Sequence, residues 1–307
     1  MIEARQLSKR YGDKRAVDDL TFTVRPGVVT GFLGPNGAGK STTMRMIIGL
    51  DKPTSGSVRV NGKAYAQHRA PLFEVGALLE ARSVHSGRSA YHHLLALAQT
   101  CGIGQKRVRE VIDIVGLHEV AKKRAGAFSL GMGQRLGIAV ALLGDPQTLI
   151  LDEPVNGLDP EGIRWIRDLL KDLAAQGRTV FVSSHLMSEM AQTAEHLIVV
   201  GRGRLIADTS VSDFISSASR NIVRVRTPEP ERLAEQLRGP DVVVRQNDDA
   251  LEVVGLTSDQ IGIVAAGAAV TLLELAPQHA SLEEAFMDLT RDAVEYHGAL
   301  ANETSVS

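Results

Sequence analysis

Short apolar runs recur along the first 210 residues, and each is followed by a glycine-rich, acidic or polar turn. The clearest runs are residues 28–33, 75–79, 148–151 and 179–184. Runs of this length, bounded by turn residues, are typical of buried strands, whereas the stretches between them place apolar residues on one helical face. The pattern predicts an α/β fold.

Two further stretches complete this first part. Residues 2–24 predict two strands joined by a turn at residues 12–13, and residues 56–65 predict a hairpin around Asn61 and Gly62. From residue 90 to 116 the apolar spacing becomes helical. We interpret that stretch as a helical insertion that returns to the core near Phe128.

The pattern after residue 212 predicts a separate small module. Its elements follow the order β-α-β-β-α-β, which favours a ferredoxin-like fold. A capping box at Ser281 and Glu284 opens a last helix, and the polar end, residues 298–307, is expected to be disordered. The predicted elements are a strand at 222–226, a helix at 230–238, strands at 242–245 and 251–254, a helix at 258–266 and a strand at 270–275.

A glycine-rich loop joins the strand at residues 28–33 to a helix at residues 41–50. It matches the phosphate-binding pattern of a glycine, four residues and Gly-Lys-Ser. Its amides and the helix N-terminus would face phosphate, Lys40 would reach the β- and γ-phosphates, and the Ser41 hydroxyl would bind magnesium. The residues expected to bind nucleotide here are Gly34, Pro35, Asn36, Gly37, Ala38, Gly39, Lys40, Ser41 and Thr42.

Two carboxylates close the apolar run at residues 148–151. Charged groups are costly to bury without a partner, so Asp152 and Glu153 indicate a site. In a phosphate-loop ATPase the first acid binds magnesium and the second orients or polarises the attacking water. His185 ends the next strand, at the edge where open α/β sheets bind ligands. Asp159 precedes Pro160 and is expected to cap a helix.

Tyr11 and Cys101 each allow a simpler interpretation. Tyr11 is either a partly buried turn residue or a ring that stacks on adenine, and the sequence leaves both open. Cys101, the single cysteine, is expected to be a small buried hydrophobe rather than a catalytic thiol. It excludes a disulfide within the chain and fits a reducing compartment.

Composition narrows the classes of function. The chain has 307 residues, is 44% hydrophobic and carries a formal net charge of −2, which gives no sign of a nucleic-acid-binding surface. The N-terminus lacks a signal-peptide core, and the longest apolar run, residues 261–273, is shorter than the about 20 residues that a membrane span needs. We therefore expect a soluble, cytoplasmic protein.

Residues 128–135, Phe-Ser-Leu-Gly-Met-Gly-Gln-Arg, resemble the signature of ABC-transporter ATPases. The Ser-Leu-Gly-Met form is similar to the branch that drives drug and antibiotic exporters. The phosphate loop, this signature, Asp152-Glu153 and His185 follow that family's order and spacing over roughly residues 1–210. Residues 281–286 also resemble the tail of drug-export ATPases, though less distinctively.

The resemblance implies a P-loop NTPase: a RecA-like core with an antiparallel β-subdomain and a helical insertion at about residues 81–145. It implies an ATP-binding domain at 1–212 and an accessory domain at 213–307. The resemblance also implies roles for site residues. Tyr11 would stack on adenine, Glu153 would be the general base, and His185 would hold the γ-phosphate and the attacking water. Ser129 and Gly131 would bind the γ-phosphate held by the other subunit, and Asp159 would link the two sites.

The sequence departs from the family pattern in two places. Glu80 lies where the family usually has a Gln, and it could still ligate magnesium through oxygen; Glu74 is close enough in sequence to be the alternative. Leu130 and Met132 replace a Gly and a Gln of the signature. Because Ser129 and Gly131 remain, we expect activity to survive.

The resemblance thus implies a homodimeric motor subunit that uses ATP and Mg²⁺. It would bind a separately encoded integral-membrane permease on the cytoplasmic face of the membrane and drive export of a drug, antibiotic or lipid-like compound, without nucleic acid. The alternative is a soluble ABC ATPase acting on ribosomes or nucleic acid. One cassette, no heptad run and no basic arm disfavour it. A non-hydrolysing protein conflicts with Glu153 and His185.

Overall fold

The computed structural model of this chain contains two compact units. The first contains Met1–Ser210 and the second is Val211–Leu289. In the part of the chain that the structure describes, no helix is both long and apolar enough to cross a membrane. The described residues are 1–79, 84–218, 222–240, 242–247, 249–278 and 281–290.

The centre of the first unit is a six-stranded sheet in the order β5-β6-β7-β3-β8-β9. All its pairs are parallel except β8 with β9. Parallel strands buried on both faces need continuous apolar sequence, which these runs provide. The strands are β3 (Val29–Leu33), β5 (Val75–Leu78), β6 (Thr148–Asp152), β7 (Thr179–Ser183), β8 (His196–Gly201) and β9 (Arg204–Ser210).

A smaller antiparallel sheet covers this core. It consists of β1 (Ile2–Tyr11), β2 (Lys14–Val24) and β4 (Ser55–Val60), in the order β2-β1-β4. Phe22 on β2 joins the two sheets, because its ring lies 6.0 Å from that of Phe32 and 5.9 Å from that of Phe181, centroid to centroid. All three rings are buried. The predicted α/β core with an antiparallel subdomain is confirmed.

Helices fill the segments between the strands. Three of them, between β5 and β6 in sequence, form the predicted helical insertion: α3 (Ala90–Thr100), α4 (Gln105–Ile114) and α5 (Leu130–Leu142). Buried apolar residues of α4, Val108, Val111 and Ile112, repeat at helical spacing. The other helices of the unit are α1 (Lys40–Ile47), α2 (Pro71–Glu74), α6 (Pro160–Ala175) and α7 (Met187–Thr193).

The predicted hairpin at residues 56–65 is wrong in its second strand. Asn61 and Gly62 do form a tight turn with positive φ values of 49° and 81°, but only Val60 and Lys63 bridge across it. Residues Tyr65–Gln67 then form a short 3-10 helix, and β4 pairs with β1 instead. Pairing with β1 buries Val60 completely, which a two-stranded hairpin alone does not achieve.

The second unit contains the predicted β-α-β-β-α-β series. Its antiparallel sheet has the order β11-β12-β10-β13, the split arrangement of a ferredoxin-like fold. The Ser281 capping box is also present, with the Glu284 amide donating to Ser281 Oγ over 3.1 Å. The elements are α8 (Val211–Ala218), β10 (Ile222–Arg226), α9 (Pro230–Gln236), β11 (Val243–Asn247), β12 (Ala250–Val254), α10 (Ser258–Gly267), β13 (Glu274–Gln278) and α11 (Leu282–Thr290).

Two further expectations differ from the structure. The last strand starts at Glu274 rather than at residue 270, because Val270 is buried in the core of this unit from the loop after α10. Cys101, expected to be buried, is exposed at the end of α3. Residues 298–307, expected to be disordered, lie outside the described residues.

Candidate functional site

The glycine-rich loop connects the carboxyl end of β3 to the N-terminus of α1. A Cβ atom at Gly34 would lie 2.4 Å from the Val200 carbonyl oxygen, and one at Gly39 would lie 2.4 Å from that of Ala16. Gly39 also has a φ of 97°. Both positions therefore require glycine, and the resulting close turn leaves a cradle in front of the helix N-terminus, where an anion is favoured.

Lys40 occupies this cradle. Its Nζ donates to the carbonyl oxygens of Gly34, over 2.6 Å, and Pro35, over 3.3 Å. Burial lowers the pKa of Lys40, while the carboxylates of Glu153 and Asp152 act in the opposite direction. An ammonium held by carbonyl oxygens gains from an anionic partner, since a charge-assisted hydrogen bond to phosphate is stronger than one to a neutral acceptor.

Asp152, at the end of β6, lies between two hydroxyl groups. The Ser41 hydroxyl donates to its Oδ2 over 2.6 Å, and the Ser183 hydroxyl donates to its Oδ1. The pairing of β6 with β7 places Ser183 directly opposite Asp152. A carboxylate beside a hydroxyl is a donor set that suits Mg²⁺, which binds few protein oxygens and keeps waters and phosphates as its other ligands.

Among the residues that the structure describes, no three His, Cys, Asp or Glu side chains cluster in an arrangement that would hold a metal ion.

Glu153 adopts a left-handed backbone conformation, with a φ of 52°. This conformation is uncommon for a residue other than glycine, and it persists here because hydrogen bonds surround the residue. Its amide donates to Ser183 Oγ over 3.0 Å, and Gln134 Nε2 donates to its carbonyl oxygen over 3.0 Å. His185 Nδ1 lies 2.6 Å from Glu153 Oε2. The carboxylate is therefore fixed in orientation.

These groups surround one cavity of about 990 Å³. Eleven of the residues that sequence analysis selected line this cavity. His185 does not line the cavity but contacts Glu153, which does. Gly34, Ser129, Gly131 and Asp159 do not line it either. The selected residues that line the cavity are Tyr11, Pro35, Asn36, Gly37, Ala38, Gly39, Lys40, Ser41, Thr42, Asp152 and Glu153.

Tyr11 lies at the mouth of the cavity and is 47% exposed. Its hydroxyl donates to Asp51 Oδ2 over 2.8 Å, and Arg45 Nε lies 2.8 Å from the same oxygen. Lys9 Nζ is 4.9 Å from the ring centroid. Partial desolvation and then the Asp51 hydrogen bond raise the pKa of Tyr11. The ring is thus exposed and is anchored through its hydroxyl.

Ser129 and Gly131 form the start of α5. Ser129 caps the helix by accepting from the Met132 amide over 3.2 Å. A Cβ at Gly131 would lie 2.6 Å from the Gly157 carbonyl oxygen, so α5 packs closely on the turn that precedes α6. Asp159 caps α6 as predicted, with its Oδ1 accepting from the Gly162 amide over 2.9 Å.

Glu80 lies outside the described residues, so the structure gives no contact for it. Glu74, the alternative, belongs to α2 and precedes β5, where it accepts from Asn61 Nδ2 over 3.1 Å. Glu74 therefore lies at the amino end of β5, whereas Asp152 lies at the carboxyl end of the parallel neighbour β6. Leu79, just after β5, does line the cavity. The structure therefore excludes Glu74 as the residue at this place in the site.

Sequence analysis missed Gln134, Ser183 and Asn156. Gln134 and Asn156 line the cavity, and Ser183 holds both Asp152 and the amide of Glu153. Gln134 carried a signal, because it lies within the signature-like stretch at residues 128–135. Ser183 could be found only from the strand order, which places β7 beside β6.

A phosphate cradle, a hydroxyl–carboxylate pair and a fixed second carboxylate define a P-loop ATPase. The family model described as ABC transporter matches residues 17–156, and one described as a domain of unknown function matches residues 221–283. Together with the relatives below, this shows that the chain belongs to the ABC transporter ATP-binding proteins. It is an ATP-binding ATPase of this family.

Two relatives and one solved structure illustrate the similarity. The chain is 44% identical to the bacitracin transport ATP-binding protein BcrA of Bacillus licheniformis, over 68% of this chain and 69% of that protein. It is 35% identical to the uncharacterized ABC transporter ATP-binding protein YhcH of Bacillus subtilis, over 96% and 97%. A dimeric bacterial ABC transporter cassette matches 69% of this chain and 99% of its own length, with 26% identity and a TM-score of 0.64.

Proposed function

We propose that this chain is the MgATP-hydrolysing motor subunit of a transporter, acting as a homodimer on a separately encoded membrane permease. The observation that carries the proposal is the single cavity that brings together the phosphate loop, Asp152 and Glu153. Around it we propose the domain boundaries 1–212 and 213–307, which the compact unit Val211–Leu289 supports.

The contacts support the following roles in hydrolysis. The loop amides and Lys40 would hold the phosphates, and Ser41 and Asp152 would hold Mg²⁺, which when bound would neutralise charge on the transferred phosphoryl group. Glu153 accepts a proton from the attacking water, and His185, 2.6 Å from it, fixes the carboxylate and contacts the γ-phosphate. Tyr11 stacks on adenine.

The proposed dimer rests on two residues that lie outside the cavity, Ser129 and Gly131. Ser129 caps α5 outside the cavity lining of its own chain, and its side chain is exposed at a helix N-terminus, which suits phosphate. We propose that Ser129 and Gly131 bind the γ-phosphate held by a second copy and that Asp159 links the two sites. The similarity to a dimeric cassette supports this arrangement.

A cleft of about 400 Å³ between α1 and the helical insertion suits the permease. It is lined mainly by apolar side chains, among them Leu50, Leu79 and Leu97. Leu50 is 59% exposed. His93 lines the same cleft, and among the described residues its buried Nδ1 has no hydrogen-bond partner. A permease segment would bury the leucines and satisfy His93. The chain would thus lie on the cytoplasmic face of the membrane.

The cargo is proposed from relatives alone. Bacitracin and lantibiotic transport ATP-binding proteins match this chain, so we propose export of a drug, antibiotic or lipid-like compound. The alternative, action on ribosomes or nucleic acid, has no comparable support from these relatives.

Co-purification tests the permease. The tagged chain would be isolated from its own cells in mild detergent, and we expect a multi-span membrane protein in stoichiometric amount. Ribosomes or DNA without a membrane protein would instead support the alternative.

The rate of ATP hydrolysis tests the role of Glu153 as the general base. We expect Glu153→Gln to bind ATP but to lose about 10²–10⁴-fold in kcat. Wild-type turnover in this variant would show that another group is the base.

A further inference from the structure

A second cavity, of about 1150 Å³, lies in the helical insertion away from the nucleotide site. It is formed where the chain before α5 folds back on the start of α3. Ser89 and Arg124 pair as an isolated antiparallel bridge, and the Tyr91 amide donates to the Ala121 carbonyl oxygen over 2.9 Å. Helix α4 supplies the remaining wall through Arg109 and residues one turn further on.

Positive charge converges on this cavity from three separate elements. Arg88 precedes α3, Arg109 lies on α4, and Lys122 and Arg124 lie on the returning segment. All four side chains are exposed, and none forms an ion pair or a side-chain hydrogen bond with another described residue. Elsewhere in the insertion Arg107 does pair, with Glu110 and Asp145.

The carboxylates in the cavity do not neutralise these cations. Among the described residues, the carboxylates that line it are Asp113 and Glu119, and Glu119 lies 3.8 Å from His118, on its own side of the cleft. Nearby, burial lowers the pKa of His93, and the charge of Arg88 acts in the same direction. The floor includes the buried Ile112 and the half-buried Tyr91.

We propose that this basic cleft, defined by Arg88, Arg109, Lys122 and Arg124, binds an acidic peptide segment of the membrane permease. The cleft is concave and has an aromatic and aliphatic floor, which fits a peptide better than a flat lipid surface. Guanidinium groups pair with carboxylates through two parallel hydrogen bonds, so arginines on facing walls select aspartate and glutamate side chains. The inference rests on the proposed transporter function.

The test uses the full chain and a fluorescent hexaglutamate peptide at low salt. Reversing two charges, Lys122→Glu with Arg124→Glu, is expected to weaken peptide binding about tenfold or more, because each exposed ion pair is lost and replaced by repulsion. Arg109→Glu, from the opposite wall, is expected to weaken it as well. The control reverses two exposed cations elsewhere, Arg59→Glu with Lys171→Glu, and should leave binding unchanged.

Two further measurements separate this proposal from the transporter function. The basal ATPase activity of the Lys122/Arg124 variant should equal that of the wild type, while its recovery of the permease should fall relative to the Arg59/Lys171 control. If the Lys122/Arg124 variant and the Arg59/Lys171 control bind hexaglutamate equally well, the proposed peptide site is wrong. It is also wrong if the chain binds phosphatidylglycerol vesicles more tightly than hexaglutamate and this binding depends on the same residues. If the wild type recovers no permease, the transporter proposal fails even where peptide binding behaves as expected.

Discussion

Gln134 holds the backbone of Glu153: its Nε2 donates to the Glu153 carbonyl oxygen over 3.0 Å. The two residues belong to different elements, because Gln134 lies in the signature helix α5 and Glu153 follows strand β6. Gln134 is only 3% exposed, and Glu153 needs support for its positive φ. The signature helix is thus bonded directly to the residue proposed as the base.

Removing this bond should slow hydrolysis without weakening nucleotide binding. In Gln134→Met, which keeps the length of the side chain, we expect kcat to fall about tenfold, since one hydrogen bond contributes roughly 1 kcal/mol. The KM for ATP should change little. Gln134→Glu should be worse, because it sets a carboxylate against a carbonyl oxygen. An unchanged kcat in both variants would show that Gln134 is only a packing residue.

Gly131 is expected to tolerate no side chain. In Gly131→Ala the new Cβ would lie 2.6 Å from the Gly157 carbonyl oxygen, so α5 must shift away from the turn before α6. We expect at least a tenfold loss of ATPase activity. Gly133→Ala is the matched control, because its Cβ meets nothing within 4 Å, and it should stabilise the helix by about 0.5–1 kcal/mol. Equal losses in the two variants would contradict the packing argument.

The pairing of His185 with Glu153 should matter for rate. We expect His185→Ala to lower kcat by about 10²-fold, because the carboxylate loses its orienting partner and the phosphate loses a contact. His196 provides the control: its Nε2 lies 2.6 Å from Asp208 Oδ1 in a similar pair outside the cavity. Steady-state kinetics on His196→Ala should match the wild type. A His185 variant with normal kcat would remove this residue from the mechanism.

Tyr11 should act through its ring rather than its hydroxyl. We expect Tyr11→Ala to raise the KM for ATP about tenfold, since stacking of a base on an aromatic ring contributes roughly 1–3 kcal/mol. Tyr11→Phe loses only the bond to Asp51 and should raise KM less than about threefold. If the two variants have the same KM, the hydroxyl and its link to Asp51 carry the effect instead.

Local patterns explain why much of the site was predictable. The residues from Gly34 to Thr42 are contiguous, so their spacing alone describes the loop, and Asp152-Glu153 ends an unmistakable buried strand. The same holds for the second unit, where alternation and turn residues reproduce the β-α-β-β-α-β order. The assigned roles of these residues stay predictions until they are measured.

What the sequence did not show depends on contacts between distant segments. The pairing of β4 with β1 overrode the local hairpin signal at Asn61 and Gly62. The contact of Gln134 with Glu153 joins a helix to the residue that follows a strand, and no spacing rule describes their packing. Packing also explains why β13 starts later than predicted. Val270 is apolar because it packs in the core of the second unit, whereas the strand itself begins at Glu274.

The central claim is a site completed by a second copy of the chain, and the mass of Glu153→Gln in solution tests it most directly. Light scattering would follow this variant with and without MgATP. With MgATP we expect a mass of about twice the 32.9 kDa of one chain, returning to 32.9 kDa when nucleotide is removed. A variant that binds ATP stoichiometrically and still has the mass of one chain would contradict the composite site.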